Sequence, residues 1–223
     1  MTLASTVFVA RHGERIDHVD RSWRDTAENP YDAFLTETGI RQARALGEKL
    51  AGTGLTHIFA SPFYRTVQTA NEVAKLTGLP IKVEAGICEF LNPEWFEAMP
   101  RLQPLGQLKK SFPLVDISYT SLVEPNYPET RDILIERAGR TARLLSEKFS
   151  GAILLVGHGI SCEFTVRGIT QAGPIPYISY CSLQTCKRKE TETASYYIDG
   201  SCEPDISFME GDIKPLIKRR SYK

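Results

Sequence analysis

The chain is predicted to be an α/β protein, a three-layer sandwich in which a mostly parallel central sheet is flanked by helices. Short apolar runs typical of buried strands alternate along the chain with longer segments of helical periodicity. Strands are predicted at residues 6–10, 58–60, 80–84 and 152–156, and helices at 36–50, 62–76, 129–149 and 160–169. Strands that alternate with helices favour parallel pairing, because each crossover helix returns the chain to the same end of the sheet.

Two of these helices carry recognisable start signals. Thr36 is predicted to cap the first helix, whose apolar residues recur on one face. Ser61 is predicted to cap the second helix, with Pro62 in its first turn, where a missing amide hydrogen is harmless. Further along, residues 179–187 and 194–198 are predicted to form a closing pair of strands around a charged turn.

The whole chain, residues 1–223, is predicted to be a single domain, since this length can bury one proper core. Two long segments lack a regular pattern. Residues 12–35 are predicted to be a polar loop, and residues 85–128, which contain several prolines, an insertion that covers the active-site edge. Residues 200–223 are predicted to be a C-terminal tail, and its basic run at 218–220 to be solvated.

The composition is that of a globular protein and argues against several partners. Apolar residues make up 42% of the chain and charged residues 24%, and 27 basic side chains balance 27 acidic ones. A net charge of zero gives no general reason to expect nucleic acid or a membrane. Five cysteines without C-x-x-C spacing favour reduced thiols and a cytoplasmic location. We see no signal peptide pattern and no apolar run of membrane-spanning length.

Residues 9–15 combine the end of a strand with reactive and cationic side chains. The apolar run of the first strand is followed directly by Arg11, His12 and Gly13, and then by Arg15. Ligands of open α/β sheets bind at the carboxyl ends of the strands. A histidine at this position can be a nucleophile, and arginines beside it can hold an anion through paired hydrogen bonds. The stretch therefore predicts chemistry on a phosphoryl group.

This stretch resembles the R-H-G signature of the histidine phosphatase superfamily, which includes cofactor-dependent phosphoglycerate mutases and many phosphatases. Other family motifs follow in order: residues 35–43 resemble the helix opening, 61–70 the second arginine motif, 84–90 the acid loop and 156–159 the second histidine motif. The longer run R-H-G-E-R is most similar to the branch of the suppressor of T-cell receptor signalling phosphatases and the ecdysteroid-phosphate phosphatases. The resemblance implies a phosphoglycerate mutase-like fold.

The residue types and the resemblance together suggest a nucleophile and an anion clamp. His12 is expected to attack phosphorus and form a phosphohistidine, while a local backbone carbonyl holds its other ring nitrogen. Arg11, Arg15 and Arg65 are expected to bind the phosphoryl oxygens, for which guanidinium groups are well suited. Arg15 could instead pair with Asp17 or with the glutamate before it.

The acid and the second histidine come from the later motifs. Glu89 is expected to protonate the leaving oxygen and then to activate water. The other candidate acids are Glu84, which more simply ends a strand, and Asp17 and Glu14, which more simply pair with arginines. His158 is expected to donate a hydrogen bond to the phosphoryl group as an imidazolium. The remaining histidines are expected to have structural or surface roles: His18 and His57.

Together these features predict a phosphoric monoester hydrolase, a phosphatase that works without metal or cofactor through a phosphohistidine. No H-E-x-x-H or Walker motif is present, so neither a metal nor a nucleotide is required. The expected partner is a phosphorylated small molecule or phosphoprotein, and the resemblance implies a homodimer. Two alternatives stay open: a phosphoglycerate mutase or sugar bisphosphatase, and an inactive phosphate-binding regulatory module.

The two irregular segments are rich in aromatic residues. An aromatic wall above His12 would suit phosphotyrosine, as in a protein tyrosine phosphatase, or another bulky aryl or steroid-like phosphate. Ordinary packing of long loops explains the same residues equally well. The aromatic residues in question are Trp23, Tyr31, Phe34, Phe90, Trp95 and Phe96.

Overall fold

The protein is built around a six-stranded sheet. Its structure is a computed structural model that describes residues 3–170, 172–189 and 196–216. Its strands are β1 (Ala4–Arg11), β2 (Leu55–Ala60), β3 (Ile81–Val83), β4 (Gly151–Gly157), β5 (Leu183–Arg188) and β6 (Tyr196–Ile198). Their spatial order is β3-β2-β4-β1-β5-β6. The first four pair in parallel, whereas β5 pairs antiparallel with both β1 and β6. The prediction of a mostly parallel sheet is confirmed.

The helices lie on both faces of this sheet. They are α1 (Ile16–Val19), α2 (Trp23–Thr26), α3 (Glu37–Leu50), α4 (Tyr64–Thr77), α5 (Leu105–Ser111), α6 (Arg131–Lys148) and α7 (Gly159–Thr170). Helices α3 and α4 pack together, as do α6 and α7. The sheet and its two helical layers form the predicted three-layer sandwich.

Alternate residues of the central strands build two separate cores. In β4, Leu154 and Val156 belong to the cluster that includes α3 and α4, whereas Ile153 and Leu155 belong to the cluster that includes α6 and α7. Because successive side chains of a strand point to opposite faces, a strand buried on both sides must be apolar throughout. This explains why the parallel strands appear in the sequence as uninterrupted apolar runs.

The two predicted helix starts have different outcomes. The Thr36 hydroxyl accepts a hydrogen bond from the Gly39 amide at 3.0 Å, so this N-cap is confirmed. The prediction for Ser61 is wrong, because α4 begins only at Tyr64. Its first amide donates instead to Asp32 Oδ1 at 2.7 Å. A residue 32 positions earlier in the chain therefore caps this helix, a contact that no local pattern indicates.

The two irregular segments contain more structure than predicted. Residues 12–35 include α1 and α2, and residues 85–128 include α5. Not all of the second segment covers the active-site edge: Val115 forms a bridge with Ile81, at the outer edge of β3, and Leu108 and Phe112 are buried in the core. This part was missed because short apolar stretches between prolines carry little periodicity.

The closing pair of strands is confirmed with a later start. β5 begins at Leu183 rather than at residue 179, since residues 179–182 form a turn. The charged turn between the strands and the basic run at 218–220 lie outside the described residues. All five cysteines, each of them in the described ranges, are free thiols. Within those ranges, no helix combines the length and apolar character needed to cross a bilayer.

Candidate active site

The candidate site lies where three neighbouring parallel strands end. Arg11 at the end of β1 is paired in register with Gly157 at the end of β4, and the His12 amide donates to the Gly157 carbonyl at 3.0 Å. The Ser61 amide, just after β2, donates to the Val156 carbonyl at 3.0 Å. Parallel pairing therefore brings together chain segments that are about fifty or more residues apart in sequence, at the edge where such sheets bind ligands.

The loop after β1 packs tightly on the start of α3. A Cβ added to Gly13 would lie 2.4 Å from the Gly39 carbonyl oxygen, and one added to Gly39 would lie 2.1 Å from the Glu14 carbonyl oxygen. The two glycines therefore let these backbone segments touch, which fixes the loop that carries His12.

His12 is buried and its ring orientation is fixed. Its Nδ1 lies 2.7 Å from the Gly13 carbonyl oxygen, the kind of backbone contact expected from the sequence. Because a carbonyl can only accept, Nδ1 carries the hydrogen and Nε2 keeps its lone pair when the ring is neutral. Burial and the charges of Arg65 and Arg11 lower the pKa of His12 well below its ordinary value, so the neutral ring predominates.

His158 faces His12 across the site, with 5.3 Å between the ring centroids. Its Nδ1 accepts from Arg65 Nη2 at 3.1 Å, and its Nε2 then donates to the Ser61 hydroxyl at 2.7 Å. Burial and the charge of Arg65 lower the pKa of His158 well below its ordinary value, which favours the neutral ring in this arrangement. Ser61, expected to cap a helix, orients His158 instead.

Arg65, in the first turn of α4, is fully buried. Its guanidinium lies 4.5 Å from the centre of the Phe63 ring, and its Nε and Nη1 have no hydrogen-bond partner among the described residues. Burial, together with repulsion from Arg15, lowers the pKa of Arg65 to about 9, so the group remains charged at neutral pH. Buried and incompletely paired guanidinium donors are costly unless an anion meets them.

Arg11, which directly precedes His12, is held by a different set of contacts. Its Nη1 donates to the Ile178 carbonyl at 2.9 Å, and its guanidinium lies 4.5 Å from the centre of the Tyr180 ring. The Tyr180 ring is 5.9 Å from that of His12, and its hydroxyl is hydrogen-bonded to His18 Nδ1. His18 thus has a partner beside the site, and Tyr180 is a site residue that no sequence signal indicated.

Arg15 pairs with a carboxylate, as its alternative interpretation predicted. Its Nε and Nη2 donate to the two oxygens of Asp17 at 2.5 and 2.6 Å, and Arg24 pairs with the same carboxylate at 2.6 Å. Burial alone would raise the pKa of Asp17, but the two arginines lower it to about 2. Glu14 does not pair with an arginine as expected but accepts from the Thr36 hydroxyl at 2.8 Å.

Glu89 reaches the centre of the site from the loop that follows β3. Its Oε2 lies 3.4 Å from His158 Nδ1 and 3.6 Å from Arg65 Nη2, and its side chain is 12% exposed. Its Oε1 accepts from the Phe90 amide at 3.1 Å. The structure therefore brings Glu89 together with His12, His158, Arg11 and Arg65.

The rival acid Glu84 is fully buried away from this cluster and has a structural role. Its two oxygens accept from the Tyr119 and Ser121 hydroxyls at 2.6 and 2.7 Å. They also accept from the amides of Gly86, Leu122 and Val123. A carboxylate with five donors is committed to holding two loop segments together.

Asp32 is a site residue that sequence reasoning missed. Its side chain is 2% exposed, and its Oδ1 lies 4.0 Å from Arg65 Nη1. Burial opposes ionisation more strongly than the Tyr64 amide and Arg65 favour it, so the pKa of Asp32 is raised to about 6. Its Oδ2 has no hydrogen-bond partner among the described residues.

The predicted aromatic wall is only partly available at the surface. Phe90 and Phe96 are buried in separate apolar clusters, as ordinary loop packing predicts. Phe34 and Trp95 keep 41% and 49% of their surface exposed. The ring pairs with centroids less than 6 Å apart in these segments are Trp23 with Phe34, Tyr31 with Phe96, and Phe90 with Trp95.

The charge pattern of the site suits a phosphoryl group. In the described ranges, no three His, Cys, Asp or Glu side chains converge on a common metal position. The two histidine rings face each other, with 5.3 Å between their centroids. Among the described residues, the buried side-chain donors without a hydrogen-bond partner are Arg11 Nε and Arg65 Nε and Nη1.

A family model and several known proteins match this chain. The model of the histidine phosphatase superfamily (branch 1) matches residues 7–195, so the chain belongs to that superfamily. It is 29% identical to the ecdysteroid-phosphate phosphatase of Bombyx mori, over 95% of this chain and 39% of that protein. It is also 29% identical to ubiquitin-associated and SH3 domain-containing protein B of Mus musculus, over 80% of this chain and 36% of that protein. These relatives confirm the branch that the R-H-G-E-R run indicated.

The chain is also similar to a transcription factor subunit and to a solved phosphatase structure. The 55 kDa subunit of transcription factor tau from Saccharomyces cerevisiae is 30% identical over 71% of this chain and 39% of that protein. The chain thus spans about two fifths of the length of these curated relatives. Among solved structures, the Bombyx mori ecdysone phosphate phosphatase in complex with tungstate superposes with a TM-score of 0.73 and 24% identity, over 90% of this chain and 93% of that one. That likeness confirms the phosphoglycerate mutase-like fold.

Proposed function

We propose that the chain is a phosphomonoesterase that acts through a phosphohistidine on His12. The observation that carries the proposal is the environment of this ring: Nδ1 is held by the Gly13 carbonyl, the pKa is lowered so that Nε2 is unprotonated, and cationic donors lie on both sides. A neutral, oriented imidazole near two incompletely paired guanidinium groups suits in-line attack on a phosphoryl group.

The reaction uses the other site residues in two steps. The Nε2 lone pair of His12 attacks phosphorus, the P–O ester bond breaks, and the leaving oxygen takes a proton from Glu89. Glu89 then removes a proton from water, whose oxygen attacks phosphorus, and the P–N bond breaks to return its electron pair to Nε2. Arg11 and Arg65 neutralise the equatorial oxygens, while Arg15, committed to Asp17, contributes mainly its positive charge.

His158 gains its proton only when the anion is present. Its pKa is lowered here partly by Arg65. A phosphoryl dianion placed between the two histidines reverses the local potential and favours protonation of Nδ1, which faces Glu89 at 3.4 Å. On protonation, Nδ1 gives up the hydrogen bond that it accepts from Arg65, whose Nη2 is then free to donate to the anion. Protonated His158 then donates to a phosphoryl oxygen, while Ser61 keeps the ring in place.

Replacement of the nucleophile tests the proposal. His12→Ala should reduce turnover of an aryl phosphate by about a thousandfold or more while leaving the fold intact. His57→Ala is the matched control, because His57 packs on Phe149 outside the site. Wild-type protein quenched during turnover should carry an acid-labile phosphate on His12, and activity should survive EDTA and be inhibited by vanadate. Normal turnover by His12→Ala, or loss on chelation with recovery on adding a metal ion, would refute the mechanism.

We propose a bulky aryl or polycyclic phosphate, such as phosphotyrosine or a steroid-like phosphate, as the substrate class. Support comes from Tyr180 beside His12, from the exposed Phe34 and Trp95, and from the name of the Bombyx mori relative. Tyr180→Leu should lower kcat/KM for aryl phosphates several times more than for glycerol phosphate. A panel in which 3-phosphoglycerate or fructose bisphosphate is clearly the best substrate would favour a mutase or sugar bisphosphatase instead.

A second candidate is a phosphate-binding module that serves assembly rather than catalysis. The similarity to a transcription factor subunit favours it. The assays separate the two: a module binds tungstate or phosphate but turns over no phosphomonoester, and His12→Ala then changes no rate. The presence of Glu89 beside His158 ranks the enzyme first.

A further inference from the structure

One buried guanidinium lies behind the loop that carries Glu89. Arg137, on α6, has a side chain that is 4% exposed. Its Nη1 donates to the carbonyls of Gly86 and Cys88 at 2.9 and 3.3 Å, and its Nη2 donates to the carbonyl of Glu89 itself at 3.1 Å. Three carbonyls within four residues of the loop therefore converge on one side chain.

The same guanidinium is tied to a buried carboxylate. Arg137 Nε and Nη2 donate to the two oxygens of Glu129 at 2.5 and 2.8 Å. With the three loop carbonyls, these contacts use all five N–H groups of the guanidinium. Glu129 also holds the far end of the loop, because its Oε2 accepts from the Leu91 amide at 3.1 Å and its amide donates to the Leu91 carbonyl at 2.9 Å.

This arrangement separates the two sides of the loop. The backbone carbonyl of Glu89 points to Arg137, whereas its carboxylate lies near His158 and Arg65. A carboxylate on an irregular loop has no helix or strand to fix its position, and misplacement of a catalytic group by about 1 Å costs about a hundredfold in rate. The hydrogen bonds of Arg137 restrain the backbone of this loop at three carbonyls.

We infer that Arg137 is a positioning residue that sets the catalytic geometry of Glu89 by holding the carbonyls of the acid loop, with Glu129 as its counter-ion. The inference rests on the proposed role of Glu89 as general acid. Among the described residues, Arg137 makes no hydrogen bond to His12 or His158, and its hydrogen bonds to the acid loop all go to backbone carbonyls. Lysine cannot replace it, because a single ammonium cannot reach three carbonyls and a bidentate carboxylate together.

The test uses the dependence of rate on the leaving group. Alkyl phosphates need a proton from the acid, whereas nitrophenyl phosphate leaves without one. Glu89→Gln should therefore slow the alkyl substrate far more than the aryl one. Arg137→Lys should show the same selectivity, with kcat on the alkyl substrate lowered about tenfold or more and kcat on the aryl substrate lowered less than about threefold. In the double variant, Arg137→Lys should add little to Glu89→Gln, since both act on one group.

Arg143→Lys is the matched control. Arg143 lies on the same helix and donates to the Gly168 carbonyl at 3.0 Å, with a side chain that is 47% exposed. Its replacement should change neither substrate's kcat. Circular dichroism and thermal unfolding establish whether each variant is folded, and Glu129→Gln provides a second way to weaken the same contacts if Arg137→Lys does not fold.

The outcomes distinguish this inference from the proposed function. If both Glu89→Gln and Arg137→Lys slow the alkyl substrate selectively, and the double variant is no slower than Glu89→Gln, the inference and the proposed function are both supported. A second outcome is that Glu89→Gln slows the alkyl substrate selectively, whereas Arg137→Lys and Glu129→Gln slow both substrates equally. This result would overturn the positioning role of Arg137 and leave the assignment of Glu89 as the acid in place. If Glu89→Gln shows no selectivity, the acid assignment itself is wrong and the positioning role is wrong with it.

Discussion

Asp32→Asn should stabilise the protein at neutral pH, although it removes a charge next to Arg65. The side chain of Asp32 is 2% exposed, and its pKa is raised from an ordinary 3.8 to about 6, mainly by burial. Because the native state binds this proton more tightly than the unfolded chain does, the unfolded chain ionises first as the pH rises. Stability that is present below about pH 4 is therefore lost between about pH 4 and pH 6.

The size of the stability difference follows from the shift in the pKa of Asp32. A difference of about two pKa units corresponds to about 3 kcal/mol of unfolding free energy at neutral pH. Asparagine stays neutral at every pH and keeps the oxygen that accepts from the Tyr64 amide at 2.7 Å. Relative to wild type, the variant should become more stable as the pH rises, by up to about 3 kcal/mol above pH 7.

Urea unfolding followed by fluorescence at pH 4, 5, 6 and 7.5 measures this difference directly. Asp17→Asn provides a control of opposite sign, because the arginines around Asp17 lower its pKa to about 2. Ionised Asp17 stabilises the native state, so this variant should be less stable than wild type above pH 4. The reasoning is refuted if the difference between Asp32→Asn and wild type does not change with pH, or if wild type becomes relatively more stable as the pH rises.

Two other substitutions test the geometry of the site. Gly13→Ala should destabilise the protein by about 2 kcal/mol or more in thermal unfolding, because its Cβ would lie 2.4 Å from the Gly39 carbonyl oxygen. Gly106→Ala is the control: Gly106 lies in a helix, and an added Cβ there has nothing within 4 Å. This variant should be neutral or stabilising in the same assay. Ser61→Ala should lower kcat/KM for an aryl phosphate about tenfold, since it removes a hydrogen bond that holds His158. An unchanged kcat/KM would show that the ring is held without Ser61.

The sequence predicted those parts of the site that can be recognised from neighbouring residues or from short motifs. His12 follows an apolar run directly, and the Thr36 cap is satisfied by an amide three residues later, so neither needs knowledge of the fold. The order of the family motifs then indicated Arg65, Glu89 and His158, which the structure places around one point.

The residues that were missed act across long stretches of chain. Asp32 caps a helix that begins 32 residues later, Arg137 holds a loop 48 to 51 residues earlier, and Tyr180 lies against Arg11 from near the other end of the domain. Each is an ordinary polar or aromatic residue in its own segment, with no periodicity or spacing that marks it. Ser61 was misjudged for the same reason, since its partner His158 is 97 residues away.

The sequence by itself determined the strands, most of the helices, the strand end that carries His12 and the family, because hydrophobic periodicity and short motifs depend on neighbours along the chain. Only the tertiary structure decided the proton positions and the charge balance. The lowered pKa of His158, the raised pKa of Asp32 and the pairing of Arg15 with Asp17 follow from burial and from distances between side chains. Burial and through-space electrostatics exist only once the chain has folded, and no local pattern encodes them.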